Sequence, residues 1–160
     1  LQMFGHGTAA AGLFYLVGRL ESRTGTCGLN DFGGLSAVTP GLAAAFYILA
    51  FCSLGLPFLA GFAAEFLIFS GSFAVAPGVT AAATLGLLAT AVFMLTMLQR
   101  IFTGATPKLH QSTGDLTFNE ALVVIPIIFF ILWAGIAPGH WLTWSENLSL
   151  TLQLTQGATP

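Results

Sequence analysis

Charge is what this sequence has least of. Its 160 residues include four Lys and Arg and six Asp and Glu, 6% in all, where a soluble domain carries about 25%. So sparse a set cannot clothe a water-facing surface. The formal net charge of −2 offers no basic footprint for nucleic acid, which is not an expected partner. Cysteine is almost as scarce. Cys27 and Cys52 give neither a disulfide framework nor a metal site, and both read as packing residues. A Gly-rich phosphate loop is missing, as is any His or Cys spacing suited to metal, haem or iron–sulfur ligation. No cofactor is expected in this chain.

What is present is apolar. Hydrophobic residues make up 56%, fifteen of them Phe, and the mean hydropathy is +0.88. The few charges cluster, so residues 32–64, 66–99 and 121–145 contain no Asp, Glu, Lys or Arg. About 20 apolar residues suffice to cross ~30 Å of hydrocarbon, and every one of these runs is longer. The expectation is an all-α polytopic transmembrane bundle with four membrane crossings, in contact with the lipid bilayer. The start has no Met and no basic region, and His6 interrupts its first apolar segment. It reads as a helix already under way, so a C-terminal fragment of a longer protein is expected.

Helices are predicted over residues 2–20, 40–73, 78–101 and 118–136. Pro40 suits an early helical position, and Pro138–Gly139 follows the end of the last helix. Residues 1–140 form one membrane domain in this reading, and residues 141–160 an external polar tail. Trp141 and Trp144 are candidate interface anchors. Arg19, Arg23, Arg100 and Lys108 fall in the loops after the first and third helices. An alternating path puts those loops on one side, which the positive-inside rule makes cytoplasmic, with the C-terminus external. Gly5 and Ala9, then Ala82, Gly86 and Thr90, are small residues at the spacing of close helix packing. Asp31, Asp115 and Glu120 lie near loop ends, where solvated charge is the default.

The second apolar segment is too long for one ordinary crossing. Roughly 33 residues at 1.5 Å each would make a helix about 50 Å long. Its middle carries Gly55, Pro57 and Gly61. Proline removes a donor and clashes with the preceding turn, and glycine relaxes the backbone. A discontinuous helix is predicted, two halves joined by an extended link, as transporters use to build mid-membrane ion sites. A simple proline kink is the plainer alternative.

Glu65 follows that break, about 12 Å from the nearer helix end at 1.5 Å per residue. A carboxylate at such depth costs a few kcal/mol and belongs against the bundle interior or a water-filled cavity. His6 lies at a similar depth on the first helix, and imidazole titrates near neutral pH. Glu65 and His6 are the candidate proton relay, with internal water as its medium. Tyr15, Tyr47, Ser53, Ser70, Ser72 and Thr96 are possible hydroxyls for a water wire. The competing readings are a glutamate that only ties helices together and a histidine that only packs.

These residues also carry a resemblance. The run Gln2-Met3-Phe4-Gly5-His6-Gly7, then Gly12-Leu13-Phe14 to Gly18, resembles helix eleven of the antiporter-like M subunits of proton-pumping NADH:quinone oxidoreductase, respiratory complex I. Gly33-Gly34-Leu35, Ser53-Leu54-Gly55-Leu56-Pro57 and Gly61-Phe62-Ala63-Ala64-Glu65-Phe66 look like that family's loop and broken helix twelve. Gly71-Ser72-Phe73, Leu98-Gln99-Arg100 and Glu120 resemble its last two helices. The resemblance implies a proton-translocating subunit of a bacterial inner membrane, with other membrane subunits as partners and quinone reduction elsewhere in the complex. It matches Glu65 to a buried relay acid near the external exit and His6 to the family's histidine. Arg19-Leu20-Glu21-Ser22-Arg23-Thr24-Gly25-Thr26 departs from the aromatic–acidic–Arg run ending in Thr-His-Thr. A subunit of a cation/proton antiporter is the alternative in the transporter class, and a non-catalytic packing module is the other.

Overall fold

The computed structural model describes residues 1–107 and 113–144, and every described element is helical: α1 (Gln2–Thr24), α2 (Pro40–Ser53), α3 (Ala60–Val75), α4 (Pro77–Phe102) and α5 (Phe118–Ile136). A single 3-10 turn, Leu35–Ala37, leads into α2, and residues 138–144 are helical again. Lys108, His110, the alternating leucines from Leu148 to Leu154 and the predicted polar tail beyond Trp144 lie outside the described residues.

Local chemistry sets the ends of these helices. α1 runs one turn past the predicted stop at Leu20, so Arg19 and Arg23 are helical rather than in a loop. It closes where Gly25 turns left-handed at φ 72° and its N–H bonds the Glu21 carbonyl at 2.7 Å, the usual glycine end to a helix. Pro40 and Pro77 open α2 and α4, where a missing N–H costs nothing. α5 begins on a capping box, in which Thr117 and Glu120 satisfy each other's backbone N–H groups. The segment predicted over residues 40–73 is two helices, α2 and α3, separated by the non-helical residues 54–59.

Packing is uneven along the bundle. The most buried side chains, among them Leu16, Leu42, Phe46, Leu98 and Phe102, gather around α2 near the end where α1 and α4 finish. Phe46 and Phe102 meet there with ring centroids 5.3 Å apart, and Ser36 donates to the Phe102 carbonyl at 2.6 Å. Arg19, Arg23 and Arg100 sit at this same end, hereafter the basic end. Only Ala60, Gly61 and Ala64 of α3 are buried, and α4 is buried only at Thr80 and at Leu98, Ile101 and Phe102. The outer surface is apolar instead, with Met3 88% and Val75 87% exposed, as befits contact with lipid or other membrane helices rather than water. α4 and α5 are each long and apolar enough to span a membrane.

The two small-residue motifs part company. Gly5 and Ala9 are buried, and a Cβ on Gly5 would lie 3.1 Å from the Ala60 Cβ, so α1 and α3 touch closely. Ala82, Gly86 and Thr90 are exposed, so the expected close contact is not made among the described residues.

Candidate functional site

The connection between α2 and α3 is where backbone and carboxylate chemistry meet. α2 stops at Ser53, and residues 54–59 carry two left-handed conformations, Gly55 at φ 66° and Phe58 at φ 72°. The first is natural for glycine, whereas the second is uncommon for a bulky side chain. Pro57 lies exposed between them. Gly61 is required by proximity, because a Cβ there would sit 1.9 Å from the Cys52 carbonyl oxygen. Cys52, just before the connection, is buried. The Cys52 carbonyl thus lies against the start of α3, while Cys27 is exposed and not a packing residue.

Glu65 is one turn into α3 and turns back over the connection. A Cβ added to Gly55 would stand 2.2 Å from Glu65 Oε2, so the carboxylate occupies the space that a side chain at position 55 would fill. Its other polar neighbours, Gln2 and His6, come from α1. Glu65 is half-buried and His6 is exposed. His6 lines a cleft of ≈ 350 Å³ whose other polar side chains are Ser53 and Thr90. Glu65, Gly55 and Gly61 are therefore brought together at the connection between α2 and α3, with His6 nearby on α1.

The candidate hydroxyls are less concentrated. Ser53, Ser70 and Thr96 donate to the carbonyls of Leu49, Leu67 and Val92 in their own helices. Tyr47 packs against Phe51 and Phe102, in the core rather than at the interruption. Trp141 folds back on the helices, with its ring 6.2 Å from Phe4 and 5.3 Å from Phe130, whereas Trp144 is 58% exposed.

A second polar cluster, at the basic end, escaped the sequence reading. Glu120 is 2% exposed, not solvated, and its two oxygens pair with Arg19 Nε and Arg23 Nη2. It also accepts the Thr117 N–H at 2.8 Å. Arg23 donates further to the Gly114 carbonyl at 2.7 Å. Next to it, Asp115 accepts the N–H groups of Gly41, Leu42 and Leu116, each at 2.8 Å. Thr39, the natural cap of α2, spends its hydroxyl on the Leu35 carbonyl, so Asp115 caps α2 from another part of the chain. Burial opposes ionisation of Asp115, but those three N–H donors and the nearby Arg23 hold its carboxyl below the usual carboxylate range. The signals were present: Thr117 and Glu120 at capping-box spacing, and Arg19 and Arg23 four apart on one helical face. Asp31 is exposed, as expected of a loop charge.

Among the described residues no three His, Cys, Asp or Glu gather as a metal site would require. The site's chemistry is that of one carboxyl, one imidazole and one carboxamide beside the non-helical residues 54–59.

Residues 1–92 match the protein family described as NADH:quinone oxidoreductase/Mrp antiporter, TM. NADH-quinone oxidoreductase subunit M of Mycobacterium tuberculosis (strain H37Rv) is 38% identical over 143 residues, covering 86% of this chain and 25% of that protein. Subunit M of Escherichia coli (strain K12) is 33% identical, covering 86% and 28%. Among solved structures, respiratory complex I from Thermus thermophilus with bound NADH contains a chain 36% identical to this one, superposing with a TM-score of 0.78 over 82% of this chain and 28% of that one. The chain thus spans about a quarter of the length of the curated relatives it matches.

Proposed function

We propose, from the fact that this chain belongs to the NADH:quinone oxidoreductase/Mrp antiporter membrane family, that it is the C-terminal part of an M-type proton-translocating subunit of NADH:quinone oxidoreductase. It is an integral membrane helical chain. In the proposed arrangement it crosses the membrane four times, with α2 and α3 as the halves of one discontinuous crossing. The basic end is cytoplasmic, the C-terminus external, and the membrane a bacterial inner membrane. The relatives named above are NADH-quinone oxidoreductase subunits, which supports this reading over a cation/proton antiporter.

The observation that carries the proposal is the placement of the Glu65 carboxylate against Gly55 in the interruption, facing Gln2 and His6 of α1. An ionisable group inside a membrane bundle is costly to place and is a functional site by default. Interrupted backbone at that depth is tolerable only inside protein or beside water. Glu65 and His6 form the outer end of a buried protonatable relay, in exchange with internal water. Quinone reduction elsewhere in the complex biases the protonation and hydration of that relay. The partners in this arrangement are the other membrane subunits, the lipid bilayer and the translocated protons.

The test is Glu65→Gln in the full-length subunit within the assembled complex, with proton uptake into inverted membrane vesicles followed during NADH oxidation. Pumping is expected to be lost and coupled quinone reduction to fall with it. Glu65→Asp is expected to retain part of both. Undiminished pumping by Glu65→Gln would end the relay reading.

A further inference from the structure

Gly135 stands inside α5, next to its last residue Ile136. Glycine weakens a helix interior relative to alanine, so its place there calls for a reason such as close backbone approach. The reason is the connection between α2 and α3. A Cβ on Gly135 would overlap the Phe58 carbonyl oxygen and the Leu59 carbonyl carbon, and would stand 2.6 Å from the Leu59 Cα. All three are backbone atoms, with no rotamer that could swing aside.

The same stretch of chain is touched from α1. Gly5 brings that helix against Ala60, the residue after Leu59. Leu59 and Ala60, both buried, are therefore gripped between two helices, each approaching through a glycine. The end of α5 is itself tied to α1. Beyond it, Trp141 packs its ring against Trp133 and Phe130 of α5, 5.4 and 5.3 Å away, and against Phe4, the neighbour of Gly5. What this grip holds is a backbone with an unusual turn. Phe58 is left-handed at φ 72°, a conformation that a bulky residue keeps only where its surroundings impose it. Three residues earlier, Gly55 makes room for the Glu65 carboxylate.

We infer that Gly135 is a positioning residue for Glu65, its bare α-carbon letting α5 seat the Phe58–Leu59 backbone so that Gly55 and the Glu65 carboxylate meet. This rests on the relay reading of Glu65 and gives α5 a part in that site without any polar group. No proton passes through Gly135. A methyl group at this place pushes the connection away from α5. The displacement reaches Gly55 on one side and the first turn of α3, which carries Glu65, on the other.

The test uses the full-length subunit in the assembled complex, with Gly135→Ala alone and combined with Phe58→Gly. Glycine at position 58 lets the backbone there turn freely and yield to the added methyl. Proton uptake by inverted vesicles is expected to fall about tenfold in Gly135→Ala, since displacing a positioned group by about 1 Å can cost that much or more. The double variant is expected to recover much of it. In infrared difference spectra, the protonated C=O band of Glu65 is assigned by its loss in Glu65→Gln. That band is expected to move in Gly135→Ala and to return toward its wild-type position in the double variant. A role confined to packing lowers the amount of assembled complex and moves no such band. Wild-type pumping with an unmoved band in Gly135→Ala, or a loss that Phe58→Gly does not relieve, overturns the inference about Gly135 while an inactive Glu65→Gln keeps the relay reading. Full pumping by Glu65→Gln overturns the relay reading, and this inference with it. If Gly135→Ala fails to assemble, the double variant decides: recovered assembly and pumping support the inference, and a second failure to assemble overturns it.

Discussion

Glu65 and Glu120 are glutamates with opposite surroundings. Glu120, at the basic end, is nearly sealed from solvent, with both oxygens paired to guanidinium groups and a backbone N–H added. Glu65 has a neutral carboxamide, an imidazole and a bare glycine beside it. A carboxylate saturated with fixed cations has one stable state, and its value is to tie α1 to α5. In the proposed relay reading, a carboxylate with sparse and adjustable neighbours such as Glu65 has two accessible states. The contrast teaches that burial alone does not mark a functional acid; what matters is whether its neighbours serve one protonation state or both.

The contrast can be broken by exchanging the consequences of removing each acid. The largest effect on function is expected from Glu65→Gln, which abolishes pumping while leaving the thermal unfolding of the detergent-solubilised subunit nearly unchanged. Glu120→Ala should do the reverse to stability, since it strands Arg19 and Arg23. Removing one partner of a buried pair costs about 3 kcal/mol, read as a lower unfolding midpoint for the full-length subunit. Equal losses of stability in the two variants would erase the distinction.

Gly55→Ala sharpens the same comparison from the backbone side. Alanine at φ 66° is strained, which costs about 2 kcal/mol. Its Cβ would also displace the Glu65 carboxylate, so pumping is expected to fall further than stability. The smallest effect belongs to Asp115→Ala, which removes the cap of α2 and costs about 1 kcal/mol. That contribution depends on pH with a definite sign. The folded carboxyl of Asp115 is held below its ordinary range. Its stabilisation is therefore fully present above the unfolded carboxylate value and is lost as pH falls through the folded value. Unfolding midpoints measured from neutral to acid pH should converge for wild type and Asp115→Ala at the acid end.

Much of the architecture is legible in the amino-acid sequence. Long runs without charge, punctuated by Pro40, Pro77 and Pro138, placed the helices because composition and proline position act locally. That the chain leaves helical geometry between Ser53 and Ala60 was legible for the same reason. What escaped was everything that depends on which distant residues meet. Glu120 read as a solvated loop charge because its partners lie about a hundred positions away, on a stretch of α1 that itself looked like loop. Asp115 capping α2 was invisible for a like reason: the acceptor and the helix it serves are joined only by the fold. The stripe of Ala82, Gly86 and Thr90 read as a contact and is exposed in the described chain, since periodicity names a face but not what covers it.

The sequence by itself determined that this chain is a bundle of membrane helices, and that Glu65 and His6 are its conspicuous polar residues, because transfer from water to hydrocarbon is priced residue by residue. Only the tertiary structure decided that Glu65 folds over Gly55 toward Gln2 and His6 while Glu120 is locked between two arginines. Hydrogen bonds and ion pairs depend on distances of a few ångströms between remote segments, and no local pattern encodes those.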